Sequence, residues 1–290
     1  MRDYVILTDS SCDLPAELAQ ELGINVVPLS LLLDGKEYAN YLDGREIGFK
    51  AFYDAIREGK TATTSAANIA TFKEAMKAIV DEGKDVLYIG FSSGLSATVG
   101  AGINAARELS EEYPDSKIYA VDTLGASLGQ GMIVYYAAKK KAEGASIEEV
   151  RDFVESRRLN QAHWFTVDDL NHLKRGGRIS PATAAIGTML NIKPVMHMDD
   201  EGHLVAVGKV RGRKTSLKEL VNSMEASWLP EENPTIFISH GDCHEDAEYV
   251  ASLIREKLGV NDIRINYVGP VIGAHTGPGV VALFFWAKER

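Results

Sequence analysis

The residues best placed to do chemistry lie near the end of the chain. The stretch Gly269-Pro-Val-Ile-Gly-Ala-His275-Thr276-Gly-Pro-Gly279 holds four glycines and two prolines in eleven residues, around one imidazole and one hydroxyl. Gly loses the most entropy on ordering, and Pro offers no N–H. Such a backbone around a single titratable side chain implies close approach to a small group. Four other stretches are rich in hydroxyls: Thr8-Asp-Ser-Ser11, Thr63-Thr-Ser65, Ser92-Ser93 with Ser96 and Thr98, and Asp122-Thr123 with Ser127. Each leads into a helical pattern, so the plain role of each hydroxyl is to cap a helix. Taken with His275, the set has a second role. Hydroxyls, helix N-termini and an imidazole together suit a carboxylate or another small anion.

Other chemistries compete for the same residues. Gly90-Phe-Ser92-Ser-Gly94 matches the nucleophile elbow of a serine hydrolase, between a strand and a helix. His275 follows it in chain order and would serve as the base. An esterase-like hydrolase using Ser92 and His275 is therefore the alternative reading. No His-Gly-Gly oxyanion segment precedes the elbow, and an acid to orient the histidine is not evident. No spaced Gly precedes a Gly-Lys-Ser/Thr, so nucleotide hydrolysis by this chain is not expected. His240-Gly-Asp-Cys-His244-Glu-Asp246 resembles a metal cluster in composition. Its histidines fall in a strand-to-helix turn rather than on a helix, so it reads as a polar loop and no metal site is expected. Lys174-Arg-Gly-Gly-Arg178 and Lys209-Val-Arg-Gly-Arg-Lys214 are the dense basic stretches, read as solvated turns or a docking surface for an acidic partner.

The elements that must position these residues alternate. Tyr4 to Thr8 is a strand, Ala16 to Leu22 a helix, and Asn25 to Leu33 a second strand with Pro28 at an edge. Ile47 to Glu58 is helical, Thr61 to Asn68 a polar loop, and Ile69, Phe72, Met76 and Ile79 share a helix face. Val86 to Phe91 and Lys117 to Val121 are strands, each followed by helix, through Ile147 to Arg157. This alternation predicts a doubly wound, mainly parallel α/β domain over 1–159. A second α/β domain is expected over 160–290. It begins with a strand from Trp164 to Val167 and a helix from Pro181 to Leu190. Asp199-Asp-Glu-Gly202 then turns a β-hairpin, a β-α-β passage follows, and Val280 to Trp286 is the last strand. Hydrophobic content is 45%, charged content 25% and net charge −10, which disfavours a nucleic-acid surface. Two cysteines, no leader-like apolar segment and no run long enough to span a bilayer predict a cytoplasmic protein.

Together these motifs resemble the DegV family, bacterial fatty-acid-binding proteins that serve as the binding subunit of fatty acid kinase in phospholipid metabolism. The likeness runs from Thr8-Asp-Ser-Ser-Cys-Asp-Leu-Pro15 through Thr64-Ser65, Phe91-Ser-Ser-Gly-Leu-Ser96, Leu170 to Ile179, Gly208 to Lys214 and His240-Gly-Asp to Ile272-Gly-Ala-His-Thr-Gly-Pro-Gly279. The resemblance implies a fatty acid buried between two α/β domains, presented to a separate kinase and phosphorylated there to acyl phosphate. It implies a carboxylate held by Thr64, Ser93 and His275, with Ser65 and Thr276 as neighbours. Arg178, Arg211 and Arg213 would lie on the head-group side, toward the kinase. The implied partners are a long-chain fatty acid and the kinase catalytic subunit; transient contact with a membrane surface is compatible with that role. No cofactor beyond the bound acid is implied. The chain departs from the family's Thr-Ser-Gln-Pro-Ser at Thr64-Ser-Ala-Ala-Asn68, and from its Leu-Ser-Gly-Thr at Leu95-Ser-Ala-Thr98. Burying about fifteen methylenes is worth on the order of 10 kcal/mol. Ile272, Val280, Leu283, Phe284 and the Ile69/Phe72/Met76 face are candidate walls.

Overall fold

The first apolar run forms β1 (Tyr4–Asp9), and Pro15 starts α1 (Ala16–Glu21) because it has no N–H to lose at a helix N-terminus. The structure, a computed structural model, describes residues 2–185 and 191–290. After β2 (Asn25–Val27), β3 (Leu29–Leu33) and β4 (Lys36–Asn40) comes α2 (Phe49–Arg57), then β5 (Ala62–Ser65) and α3 (Ile69–Asp81). The parallel unit continues as β6 (Asp85–Gly90), α4 (Thr98–Glu112), β7 (Ile118–Asp122), α5 (Leu128–Ala142) and α6 (Ile147–Arg157). Ser146 and Glu149 close a capping box at the start of α6, each side chain meeting the other residue's N–H.

β2, β1, β6 and β7 form a four-stranded sheet in that order, with every pair parallel. The expected strand 25–33 is two strands. Pro28 cannot donate to a ladder, and the chain leaves the parallel sheet there. β3 instead pairs antiparallel with β4 and with β5 in a separate three-stranded sheet. The segment Thr61 to Asn68, read as loop, therefore contains a strand. Its polar, alternating side chains carry no apolar signal, and only the ladder to Leu31 and Leu33 reveals it.

The remainder holds β8 (Gln161–Thr166), α7 (Asn171–Arg175), α8 (Pro181–Ala185), β9 (Ile192–Met198), β10 (Leu204–Arg211) and α9 (Arg213–Ser227). It ends with β11 (Thr235–His240), α10 (His244–Leu258), β12 (Asp262–Tyr267), α11 (Pro270–Thr276) and β13 (Val281–Trp286). The rest of the helix expected over 181–190 lies outside the described residues. A six-stranded sheet runs β10-β9-β8-β13-β11-β12, mixed in direction, with β9 and β10 as the expected hairpin.

β13 is buried on both faces, with period two. Ala282, Phe284 and Trp286 enter one core cluster, and Val281, Leu283 and Phe285 enter another beneath α9 and α10. The first cluster also takes Leu128, Met132 and Ile133 of α5, so α5 packs between β1 and β6 on one side and β8, β11 and β13 on the other. Gly129 makes that fit. A Cβ there would stand 2.1 Å from Nε2 of His163 on β8.

Candidate functional site

The glycine-rich stretch is a helix for most of its length. Pro270 begins α11, where a missing N–H is harmless, and Gly277, at φ 72°, ends it. Composition concealed the helix because its glycines stand for close contact rather than flexibility. At Gly273 a Cβ would lie 2.7 Å from the Tyr53 hydroxyl oxygen of α2, and at Gly277 2.4 Å from the His172 ring of α7.

α11 places His275 against β5. Thr64 Oγ1 lies 2.8 Å from His275 Nε2. His275 Nδ1 is buried without a hydrogen-bond partner among the described residues. Burial, and then the nearby Arg178 cation, pull the imidazole pKa down to about 4. His275 is therefore neutral at pH 7. Arg178 is half-buried, its Nη1 donates to the Gly176 carbonyl, and burial lowers its pKa.

These groups border a cavity of about 190 Å³. Thr64, Ser65, His275, Thr276 and Arg178 all line it, joined by Ser96 and Thr98 at the start of α4. Ser96 Oγ and Thr98 Oγ1 are 2.9 Å apart, and the Thr98 N–H donates to Ser96 Oγ at 3.2 Å. Apolar walls come from Phe91 and Leu95 on one side, and from Phe165, Ile272, Val280 and Phe284 on the other. Of the expected walls, Leu283 points into the opposite core, because neighbours along β13 alternate faces. Phe72 and Met76, with Ile69 against them, pack beneath the four-stranded sheet instead.

Ser93 lies elsewhere. It is exposed, is not among the lining residues, and its N–H donates to Asp122 at 3.3 Å. The loop turns so that Ser96 and Thr98 face the cavity, which spacing alone does not reveal. Arg213 also turns away. It donates to Asp246 Oδ2 at 2.8 Å and to the Gly279 carbonyl at 2.7 Å, bracing the end of the α11 turn. Arg211 is exposed at the end of β10 and does not line the cavity.

The serine-hydrolase reading does not survive this geometry. Ser92 is fully buried and does not line the cavity. Its Oγ donates to the Gly202 carbonyl at 2.9 Å and accepts from the Gly94 N–H at 3.2 Å. His275 is engaged with Thr64, so the elbow serine and the histidine do not meet. In the His240-to-Asp246 loop, His240 Nδ1 accepts from the Cys243 N–H at 3.3 Å, and burial lowers its pKa to about 4. Among the described residues no group of three or more His, Cys, Asp or Glu side chains could hold a metal ion. Among the same residues no helix is long and apolar enough to cross a membrane.

Sequence reasoning missed a second polar cluster in the wall. Ser127 and Ser239 line the cavity, and Ser127 Oγ donates to Asp13 Oδ2 at 2.6 Å. Asp13 is buried and also accepts from the Gly269 N–H at 3.0 Å. Burial lifts its carboxyl pKa to about 8. Ser127 belongs to the hydroxyl set read as helix caps and, with His275, as an anion site; its side chain makes no cap bond and its φ is 55°. The departures from the expected loop patterns leave both helix starts intact. Asn68 accepts from the Thr71 N–H at 2.9 Å, and Ser96 caps α4 where Ala97 cannot.

A family model described as "Uncharacterised protein, DegV family COG1307" matches residues 3–288. The chain is 48% identical over 290 residues to the "DegV domain-containing protein CPE0026" of Clostridium perfringens, across 100% of this chain and 99% of that protein. Among solved structures it is similar to one described as "Fatty Acid Binding of a DegV family Protein from Thermus thermophilus". That likeness has a TM-score of 0.87 and 33% identity, and spans 99% of this chain and 100% of the other. A second, "DegV, a fatty acid binding protein from Bacillus subtilis", matches at a TM-score of 0.83 and 26% identity, over 99% of this chain and 100% of that one.

Proposed function

The chain belongs to the DegV family, and from that membership and the cavity we propose that it binds one long-chain fatty acid and offers its carboxylate to a separate fatty acid kinase. The observation that carries the reading is the convergence of Thr64, His275 and Arg178 at one end of an apolar-walled cavity. An acyl chain in such a cavity gains on the order of 10 kcal/mol from about fifteen buried methylenes. The carboxylate needs donors once it leaves water. Ser65, Ser96 and Thr276 supply hydroxyls, the hydrogen-bonded Thr64–His275 pair supplies one proton more, from the Thr64 O–H or from the neutral imidazole's N–H, and the Arg178 cation balances the charge. The fatty-acid-binding descriptions of the Thermus thermophilus and Bacillus subtilis proteins support the same ligand class.

Phosphorylation belongs to the partner in this reading. The chain has no Walker A run, and its part is to hold the acid at the boundary between residues 1–159 and 160–290. Exposed Arg211, with the Arg178 turn, forms the side on which an ATP-bearing kinase docks. Native mass spectrometry of the protein, purified from a lipid-replete host, tests the binding step. One co-purifying fatty acid, released on denaturation, is expected; a protein that carries none and takes none up would refute it. Acyl phosphate formed from fatty acid, ATP and a kinase catalytic subunit, only when this chain is added, tests the presentation step.

A further inference from the structure

Which proton the Thr64–His275 pair gives to a carboxylate follows from what faces each ring nitrogen. His275 is neutral at pH 7, so its imidazole carries one N–H. Nε2 stands 2.8 Å from Thr64 Oγ1. Nδ1 is shut off from solvent and has no hydrogen-bond partner among the described residues. The α-carbon of Gly176 covers it, so that a Cβ built on this glycine would collide with Nδ1. The Gly176 carbonyl in turn accepts from Arg178 Nη1, which puts the cation on the same flank of the ring.

The two tautomers differ in what they leave buried. With the proton on Nδ1, an N–H is packed against a methylene, beside a cation, with nothing to accept it. Thr64 then donates its only proton to Nε2, and its oxygen turns lone pairs to the cavity. That arrangement repels a carboxylate. With the proton on Nε2, the N–H donates to Thr64 Oγ1, and Nδ1 keeps a lone pair on the side of the Arg178 cation. Orphaned N–H groups are the rarer kind in buried sites, so burial and charge both select this second tautomer. The Thr64 O–H, with no other partner among the described residues, is then released toward the cavity that Thr64 lines. Nδ1 cannot reach a bound acid in either case, because it has no accessible surface.

Resting on the fatty-acid reading above, we propose that His275 is a positioning residue, held as the Nε2–H tautomer by Gly176 and Arg178, and that it acts on the carboxylate only through Thr64, whose hydroxyl is the donor the acid meets.

Two measurements test this. The first is made on the unaltered protein. Nitrogen NMR of protein labelled at its histidine rings distinguishes the tautomers, and His275→Gln identifies the signal. Nδ1 of His275 is expected in the unprotonated range and Nε2 in the protonated range, before and after hexadecanoic acid is added. A proton on Nδ1 in either state overturns the proposal and leaves the fatty-acid reading standing. The second is a titration of delipidated protein with hexadecanoic acid. His275→Ala is expected to weaken binding by about tenfold or more. His275→Gln is expected to recover much of that loss, because its amide nitrogen reaches the Nε2 position. His275→Asn, whose amide reaches only the Nδ1 position, is expected to recover none, and equal recovery by both overturns the proposal. On a Thr64→Val background, His275→Ala is expected to cost no more than about twofold further. A full loss on that background would show that the ring touches the carboxylate itself, which also overturns it. If hexadecanoic acid fails to bind the unaltered protein, the fatty-acid reading fails, and the role of His275 with it, whatever the tautomer.

Discussion

Replacing Thr64 by Val removes one oxygen and keeps the shape of the side chain. Thr64 Oγ1 stands 2.8 Å from His275 Nε2, so the change breaks the pair proposed to give the carboxylate a proton and leaves the imidazole without that partner. Losing a hydrogen bond to a charged group weakens binding by about 1.5–3 kcal/mol, or roughly 10- to 150-fold in Kd. The acyl-tail contribution, on the order of 10 kcal/mol, is untouched, because the methylenes meet Phe165, Val280 and Phe284 instead. Binding of the acid therefore weakens but survives. The decisive comparison is with the fatty alcohol of the same length, which carries no charge for Thr64 to stabilise. Displacement of a fluorescent fatty acid from delipidated protein would give both affinities. The acid should fall by at least tenfold while the alcohol changes by no more than about twofold. A Thr64→Val protein that keeps the wild-type ratio of acid to alcohol affinity would falsify the assignment of the carboxylate to the Thr64–His275 end. A double variant with His275→Ala should lose less than the sum of the single losses, since the two side chains are in contact.

Other consequences can be checked on the same preparation. Ser93→Ala should leave fatty acid affinity within about twofold, and Ser92→Ala should change melting rather than binding, by about 1–3 kcal/mol for the Gly202 carbonyl left unpaired. Labelling of Ser92 by a fluorophosphonate would contradict its burial. His275 has a folded pKa of about 4 against 6.5 unfolded, so the unfolded chain binds the extra proton between those values. That contribution to stability is complete above about pH 6.5 and is lost as pH falls toward 4. Melting curves of His275→Gln should accordingly fall less steeply than wild type across that window; parallel curves would show that the imidazole is not desolvated. Gly277→Ala should destabilise the protein by more than about 1 kcal/mol, because φ is 72° and the new Cβ would lie 2.4 Å from the His172 ring. An unchanged melting temperature would place α7 away from the α11 turn.

Much of this molecule could be read from its residues, and what could not be read has particular causes. The alternation of β1, β6 and β7 with helices was legible because those strands are apolar runs flanked by turn chemistry. β4 and β5 were not, since Lys36-Glu37-Tyr38 and Thr63-Thr64 carry little of the apolar signal that marks a buried strand. α11 hid behind its glycines, which answer to contacts from α2 and α7 that are more than ninety residues away in the chain. His275, Thr64, Ser65, Thr276 and Arg178 were nameable as residue types beside a loop, and all of them line the cavity. Ser96 and Thr98 lie only three and five positions from Ser93, yet which hydroxyl faces inward depends on the path of the loop between them. Asp13, Ser127 and Ser239 come from three separate segments. No local pattern links them.

α5 belongs by sequence to the first part of the chain and by packing equally to the second. Leu128, Met132 and Ile133 are solvent-free only because Phe237 and Phe284 close over the same cluster. A gene fragment ending near residue 159 would encode a sheet with a greasy helix facing water, and the complementary fragment would encode a sheet missing its lid. Neither piece could be shuffled into another protein without exposing that seam. Cutting the chain near residue 159 would therefore strip α5 of the cover that β8, β11 and β13 now give it.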